Sequence, residues 1–229
     1  MKRAYFNWSS GKDSALALYR ALNGGEFSIE VLFSVLKSEG QRIAMHETGI
    51  ELLKKQADAI GIELMPFYFN SDWSGETYGA AMSESIARLK ARNITTALFG
   101  DLHLETLRKK REQKCKDAGI TAVFPLWGTS PRDVLAEFIR LGFRAIVTCV
   151  DNSVLSEKFV GKEINENFLS ELPKDIDACG EKGEYHSFVF DGPIFRHPVD
   201  FKIKGKFSQT FSDIPTGTFR RYVYLKLYA

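Results

Sequence analysis

The 229-residue sequence has little of what marks membrane, secreted or strongly electrostatic proteins. No apolar run reaches membrane-spanning length, and Met1-Lys2-Arg3 leads directly into a predicted strand, so we expect no signal peptide and no membrane contact. The three cysteines form no Cys-x-x-Cys pair, which predicts reduced thiols in a cytoplasmic protein. Because the net charge is only +2, we expect no direct nucleic-acid contact.

The first turn of the chain matches neither of two common phosphate-binding motifs, G-x-x-x-x-G-K-S/T and G-x-G-x-x-G. It has the order Trp8-Ser9-Ser10-Gly11-Lys12-Asp13-Ser14, between an apolar run at 4–8 and a helical run at 15–22. This order predicts a strand, a tight turn and a helix whose first amides and positive dipole end bind an anion. Gly11 would let a phosphate approach the backbone closely.

The side chains of this turn suit a polyphosphate. Ser9, Ser10 and Ser14 add hydroxyl donors and Lys12 adds a cation, whereas Asp13 either caps the helix or faces a bound magnesium ion. The alternative is a capped helix that binds nothing. The order S-S-G-K-D-S resembles the pyrophosphate loop, S-G-G-x-D-S, of the N-type ATP pyrophosphatases, which cut ATP between the α and β phosphates. Ser10 stands where many members have glycine.

Strands and helices alternate over the first two-thirds of the sequence. Apolar runs predict strands at 29–36, 64–69, 95–99, 121–124 and 144–150. Apolar residues at helical spacing, with glycine, serine or proline near the ends, predict helices at 49–60, 78–92, 108–118 and 131–141. This alternation indicates an α/β fold with a mainly parallel sheet covered by helices on both faces.

The carboxyl ends of parallel strands form the edge where such sheets bind ligands. We therefore expect one rim, with the phosphate loop at its centre, built from the predicted strand ends Ser9, Leu36, Lys37, Asn70, Ser71, Gly100, Asp101, Pro125, Leu126 and Asp151.

The pattern changes after Asp151. A short helix is predicted at 164–172, followed by β-rich runs at 199–211 and 221–228 that a loop with Pro215 and Gly217 separates. We expect an antiparallel piece or a small α/β subdomain here. The predicted division is an ATP-binding domain at 1–125 and a substrate-binding domain at 126–229, with a boundary anywhere from 125 to 160.

The turn after the predicted strand at 95–99 carries four candidate site residues. Gly100 would allow close approach of adenine or ribose, and Asp101 could hold magnesium or a cation of the substrate. His103 and Glu105 follow on the same rim. The alternative is that Asp101 caps a turn and the other two side chains are merely solvated.

Two further features lie near this rim. The run 108–111 is basic, and although most of it predicts a solvated helix face, Arg108 or Arg111 could turn inward and neutralise a phosphate. His46 lies in a loop over the same rim, where it is either a packing residue or a functional one.

The segment Cys179–Ser187 is the second strong signal. Its two glycines allow the backbone to fold tightly over a ligand. Glu181 and Glu184 could bind an amine, ammonium or magnesium, or supply a general base, and His186 adds a group that titrates near neutrality. The alternative is a polar turn with solvated glutamates.

Four blocks together resemble the diphthine–ammonia ligase family: SSGKDSALAL at 9–18, FGDLHLETLRKKREQKC at 99–115, PLWGTSP at 125–131 and DACGEKGEYHSFVFDGP at 177–193. The resemblance implies a Rossmann-like domain of the adenine-nucleotide α-hydrolase type and a smaller C-terminal α/β domain. It also implies a reaction in which ATP adenylates the carboxylate of diphthine, a modified histidine of elongation factor 2, and ammonia then displaces AMP to form an amide.

With this resemblance the candidate residues take roles. The catalytic set is Lys12, Asp13, Glu181, Glu184 and His186. The ATP-binding set is Ser9, Ser10, Gly11, Lys12, Asp13, Ser14, Leu36, His46, Gly100 and Asp101. The set for the acceptor substrate is Asp101, His103, Glu105, Arg108, Glu181, Glu184 and His186. Asp13 is the candidate ligand of Mg²⁺. The implied partners are ATP, ammonia and a carboxylate-bearing acceptor, and an oligomer is possible.

The sequence departs from the ligases that act on diphthine, which usually carry E-G-G-E-Y/F-E-S/T. Here Lys182 replaces a glycine and His186 replaces the last glutamate. This version resembles a shorter, bacterial-type branch, for which another acceptor is expected. Two other functions stay open: an AMP-forming enzyme that modifies or thiolates a nucleoside, and a nucleotide-binding sensor without chemistry.

Overall fold

The computed structural model describes residues 1–43, 46–213 and 218–229, so the predicted loop with Pro215 and Gly217 lies outside the described residues. The first sheet contains β1 (Lys2–Asn7), β2 (Phe27–Lys37), β3 (Arg42–Ile43), β4 (Glu63–Phe69), β5 (Thr96–Leu98) and β6 (Thr121–Val123). The strands pair in the order β3-β2-β1-β5-β6, and β4 pairs with β2. All these pairings are parallel except that of β3 with β2, which confirms the predicted α/β class.

The described residues form six α-helices: α1 (Lys12–Asn23), α2 (Ile50–Ile60), α3 (Gly75–Ala91), α4 (Glu105–Asp117), α5 (Pro131–Arg140) and α6 (Glu166–Glu171). A short 3-10 helix lies at Glu157–Phe159. The sequence signals explain their ends. The Ser130 hydroxyl accepts a hydrogen bond from the Asp133 amide and Pro131 begins α5, while Gly61 ends α2 with a left-handed φ of 81°. None of these helices is both long enough and apolar enough to cross a bilayer.

A second, antiparallel sheet follows. It contains β7 (Arg144–Asp151), β8 (Tyr185–Asp191), β9 (Lys202–Asp213) and β10 (Thr218–Tyr228), in the order β8-β7-β10-β9. The expectation that the strand at 144–150 ends on the parallel rim is therefore wrong, and Asp151 does not belong to that rim. A fully buried apolar run predicts a strand but does not say which sheet it joins. The strand β8 was not predicted at all.

The two sheets share one hydrophobic core. Leu16 of α1 and Leu53 of α2 belong to the same buried cluster as Phe188 of β8 and Val223 of β10. The Gln56 side chain links the parts further, since its amide donates to the backbone oxygens of Ser10 and Val189. Because of this shared core, the division into domains at 1–125 and 126–229 stays a prediction.

Candidate active site

The phosphate loop joins β1 to α1 and is held by the second sheet. Ser10 has a left-handed φ of 69°, which glycine adopts more readily than serine. Its backbone oxygen accepts a hydrogen bond from the Val189 amide of β8 at 2.9 Å, and its hydroxyl lies 2.9 Å from the Thr48 hydroxyl. The serine that departs from the family pattern is thus buried beneath the loop and bonded there.

The first turn of α1 is closely packed on two sides. The Lys12 amide donates to the Ser187 hydroxyl at 3.1 Å, so β8 supplies the acceptor for one of the otherwise unpaired helix amides. A Cβ added at Gly11 would lie 3.2 Å from the Ser187 backbone oxygen, and one at Gly100 would lie 3.1 Å from the Ser14 nitrogen. Both glycines are therefore needed for close approach of backbone segments.

A polar cavity of about 190 Å³ opens at this turn. It is smaller than the roughly 300–1,000 Å³ typical of drug-sized ligands, so it suits a compact polar group such as a phosphate chain. The first and second sheets both contribute to its lining: Asn7, Ser9, Gly11, Lys12, Asp13, Ser14, His46, Phe99, Gly100, Asp101, Arg111, Cys179, Gly180, Glu181, Tyr185, His186 and Ser187.

Unpaired polar atoms concentrate in this cavity. Among the described residues, five buried side-chain nitrogen or oxygen atoms have no hydrogen-bond partner, and all but that of Thr148 belong to residues lining it: Asp13 Oδ1, His46 Nδ1, Asp101 Oδ2 and Arg111 Nε. Because an unsatisfied buried polar atom costs about 1–3 kcal/mol, their clustering indicates a site that a polar ligand completes.

Lys12 is buried at the wall of the cavity. Its Nζ lies 2.8 Å from Asp13 Oδ2, donates to the Cys179 backbone oxygen and lies 4.7 Å from the centre of the Tyr185 ring. Burial alone would lower the pKa of Lys12, but the Asp13 carboxylate outweighs it and the pKa lies above its ordinary value. Lys12 is therefore a permanent cation that residues from both sheets hold in place.

Asp101 and Arg111 form a second charged pair. Arg111 Nε lies 2.9 Å from Asp101 Oδ2, but the two are not aligned as a hydrogen bond, and the guanidinium lies 4.6 Å from the centre of the Phe99 ring. Burial raises the pKa of Asp101 although Arg111 opposes that shift. Of the two arginines considered from the sequence, Arg111 faces the cavity.

Glu181 approaches the cavity from the loop before β8. One of its carboxylate oxygens accepts a hydrogen bond from the Leu102 amide at 3.2 Å. Burial, followed by repulsion from the Asp13 carboxylate, raises the pKa of Glu181 to about 7. This carboxyl group can therefore take up and release a proton near neutral pH.

Two histidine rings lie against each other at the same wall, with their planes tilted by 37°. The ring centres of His46 and His186 lie 4.5 Å apart. Burial lowers the pKa of His46 to about 4, and burial together with His46 holds the pKa of His186 well below its ordinary value. Both rings are neutral at pH 7, so they act as hydrogen-bonding groups rather than cations.

The other predicted site residues lie outside this lining. Glu184 accepts hydrogen bonds from the Asp177 and Lys182 amides and thereby braces the loop at 177–184. His103 lies 3.3 Å from the Asp177 carboxylate, and Glu105 pairs with Lys109 on the exposed surface of α4.

Three further predicted residues also lie outside the lining of the cavity: Arg108, Leu36 and Ser10. The Arg108 guanidinium lies 4.5 Å from the centre of the Trp127 ring and pairs with Glu112. Leu36 is buried between β3 and β4, and Ser10 lies beneath the loop. The roles of the predicted residues in binding and catalysis stay predictions.

The sequence did not single out several cavity residues: Asn7, Phe99, Tyr185 and Ser187. The run of aromatic and β-branched residues Phe188, Val189 and Phe190 is a strand signal that could have revealed β8. No local signal shows that β8 packs on a loop at the other end of the chain.

The cavity suits a magnesium ion only together with a ligand. Within residues 1–43, 46–213 and 218–229, no group of three histidine, cysteine or acidic side chains could hold a metal ion. Asp13 Oδ1 is buried and unpaired, which fits the one carboxylate that Mg²⁺ commonly takes from a protein when phosphates supply further oxygens.

Known proteins match nearly the whole chain. The model of the diphthamide synthase N-terminal domain matches residues 1–122, and that of the diphthamide synthase C-terminal domain matches residues 130–217. A protein of Danio rerio named diphthine–ammonia ligase is 25% identical over 213 residues, 83% of each chain. That of Bos taurus is 33% identical over 97 residues, which is 40% of this chain and 36% of the bovine protein.

The match thus spans about a third of the bovine relative, and it spans 21% of the relative from Schizosaccharomyces pombe, which is 32% identical over 127 residues. Among solved structures, the U34-tRNA thiolase NcsA of Methanococcus maripaludis aligns with a TM-score of 0.37 and 18% identity, covering 61% of this chain and 58% of the thiolase. Since the two family models together cover most of the sequence, the chain belongs to the diphthamide synthase family.

Proposed function

We propose that this protein is an ATP-dependent ligase that adenylates a carboxylate, releases pyrophosphate and then forms an amide with ammonia. The observation that carries the proposal is the polar cavity at the first turn of α1, where Asp13 Oδ1 and His46 Nδ1 have no hydrogen-bond partner and the Asp101–Arg111 ion pair is not aligned as a hydrogen bond. Its small volume fits the phosphates, and the adenosine would extend past Gly100. The curated relatives named diphthine–ammonia ligase support the same chemistry.

Different residues around the cavity would bind different parts of the ATP phosphates. The positive end of the α1 dipole and the Lys12 ammonium would offset charge on the leaving pyrophosphate. Arg111 presents a planar guanidinium, which suits bidentate binding of a phosphate. Asp13 would hold a magnesium ion, which would supply charge compensation for the phosphates.

The proposed first step is an in-line displacement at phosphorus. An oxygen of the acceptor carboxylate forms a bond to the α phosphorus, and the bond from that phosphorus to the oxygen bridging to the β phosphate breaks. Pyrophosphate leaves with the bonding electrons, and the acceptor becomes an acyl-adenylate. The protein contributes chiefly positioning and fixed positive charge to such a transfer.

Glu181 is the proposed base of the second step. Its pKa of about 7 lets it take a proton from ammonium and leave ammonia. The ammonia nitrogen forms a bond to the acyl carbon and loses a proton to solvent, and AMP leaves with the electrons of the broken acyl–oxygen bond. The neutral rings of His46 and His186 line the cavity close by and would orient the acceptor by hydrogen bonds.

Sulfur transfer by this chain has less support. Cys115, Cys149 and Cys179 are buried and unbridged. Burial raises the pKa of all three thiols, that of Cys149 to about 12, so none is poised to form the thiolate that nucleophilic sulfur chemistry requires.

Nucleotide product analysis tests the proposal. Purified protein would receive Mg-ATP, ammonium and a dialysed extract of its source, beside an Asp13→Ala variant and an exposed control, Asp117→Ala. We expect AMP and pyrophosphate from the parent protein and the control, but none from Asp13→Ala. ADP and phosphate would refute the proposed cleavage, and tight ATP binding without turnover in any extract would favour a sensor.

A further inference from the structure

The hairpin of β9 and β10 is strongly basic, and its one acidic residue is Asp213 at the end of β9. Residues 202–211 and 219–228 contain six basic residues and no acidic residue, and six aromatic residues are interleaved with them. All six basic side chains are exposed. The net charge of +2 for the whole chain conceals this surface, because acidic residues balance the basic ones elsewhere.

The same hairpin exposes aromatic rings. Phe211 is 43% exposed and Phe219 is 71% exposed, and the other phenylalanine, tyrosine and tryptophan side chains that the structure describes are at least partly buried. Phe219 is followed by Arg220 and Arg221. Phe211 packs edge-on against the buried Tyr222 ring, with ring centres 5.7 Å apart, and leaves the rest of its own ring exposed. An exposed ring beside cations is the pairing that stacks on and neutralises single-stranded nucleic acid.

A groove runs between this hairpin and the segment around β3. Two adjoining hollows share Arg42 and Glu47, and together they include more basic than acidic side chains. Arg42 also lies 3.8 Å from the Glu47 carboxylate, which offsets one of the negative charges. We call this the hairpin groove, and its cations and rings are Lys37, Arg42, Lys204, Lys206, Phe207, Phe211 and Lys226.

Strand register connects the hairpin groove to the ATP cavity. His186 of β8 pairs with Cys149 of β7, Cys149 with Tyr224 of β10, and Tyr224 with Phe207 of β9. These four side chains form one row on one face of the sheet. At about 4.8 Å between strands, the row covers about 14 Å from the cavity wall to the groove.

We propose that the hairpin groove binds a single-stranded or looped RNA, whose modified nucleotide is the acceptor presented to the ATP cavity. This rests on the proposed ligase function and names its substrate class. We expected no nucleic-acid contact because the net charge of the chain is only +2. That expectation does not apply to this surface, because contacts with phosphates depend on the cations nearby. An acidic polypeptide would pair with the lysines but would make no use of the exposed Phe211 ring in the groove, whereas unstacked bases use both the cations and the ring.

Fluorescence anisotropy with a labelled single-stranded RNA of about 15 nucleotides, over a series of salt concentrations, tests the proposal. The triple variant Lys204→Ala, Lys206→Ala, Lys226→Ala should bind at least tenfold more weakly. Its salt slope should fall by about 2, because each lost phosphate contact removes about 0.7. Phe211→Ala should weaken binding at least about fivefold through lost stacking.

A matched control carries the same charge change on the surface of α4: Lys110→Ala, Lys114→Ala, Lys116→Ala. We expect less than a twofold effect there. Equal weakening by the two triple variants would refute the groove as the site. No measurable RNA binding by the parent protein, or equal displacement of the RNA by polyglutamate, would refute RNA as the occupant.

The two proposals fail separately. RNA binding is measured without ATP, and Asp13→Ala should retain it. If the parent protein forms AMP but does not bind RNA, this inference alone is overturned. RNA binding without AMP formation in any extract would overturn the ligase function alone.

Discussion

Replacing Glu181 with glutamine tests the electrostatics of the cavity without any knowledge of the acceptor. Burial and the Asp13 carboxylate raise the pKa of Glu181 from 4.5 to about 7. A shift of this size corresponds to about 3 kcal/mol for a fully buried group. Because Glu181 is partly exposed, solvent screening reduces the expected effect to about 1–2 kcal/mol.

The sign follows from proton binding. Between pH 4.5 and about 7 the folded protein holds the Glu181 proton that the unfolded chain releases. The contribution of Glu181 to stability is therefore fully present below pH 4.5 and is lost as the pH rises to about 7. Glutamine has no proton to lose, so Glu181→Gln should match the parent protein at low pH and exceed its stability at pH 8.

Thermal unfolding at a series of pH values measures this difference. At pH 8 we expect Glu181→Gln to unfold about 3–6 °C above the parent protein. The exposed Glu105→Gln should not show this gain, because the pKa of Glu105 is lowered by its hydrogen bond to Lys109. A Glu181→Gln variant that is less stable at pH 8, or whose difference does not change with pH, would refute the reasoning.

Three further predictions concern the loop and its neighbours. Gly100→Ala places a Cβ 3.1 Å from the α1 backbone, so in a denaturant titration it should lower the free energy of unfolding by about 1–3 kcal/mol, and it should also weaken ATP binding. Gly79 has open space around it, so Gly79→Ala should raise the free energy of unfolding in the same titration. Arg111→Lys should weaken ATP binding about tenfold by calorimetry and Arg108→Lys less than twofold, since only Arg111 faces the cavity. Ser10→Gly should be about 1 kcal/mol more stable than Ser10→Ala, which keeps the left-handed strain; equal unfolding temperatures would contradict this.

The position of β8 is central to the site. This strand supplies Ser187 to the Lys12 amide and His186 to the histidine pair, and the loop before it brings Glu181. The closing half of the cavity thus comes from residues more than 160 positions after the phosphate loop. A change that loosens β8 should therefore weaken ATP binding even where it leaves the loop itself intact.

Local sequence patterns determined the phosphate loop, the helix ends and the fold class of this protein. The phosphate loop is a strand, a tight turn and a helix because of the order of apolar, small and polar residues within about twenty positions, and glycine, serine and proline mark the ends of the helices. The same periodicities predicted the α/β class, and the resemblance carried by four blocks predicted the family.

Only the tertiary structure decided which distant segments meet. Apolar periodicity shows that β7 is buried but not that it pairs with β8 and β10 in a second sheet. A run of basic residues on α4 does not show that Arg111 enters the cavity while Arg108 packs on Trp127. The physical reason is that a residue's local pattern depends on its near neighbours, whereas strand pairing and the facing of a charge depend on a core formed by the whole chain.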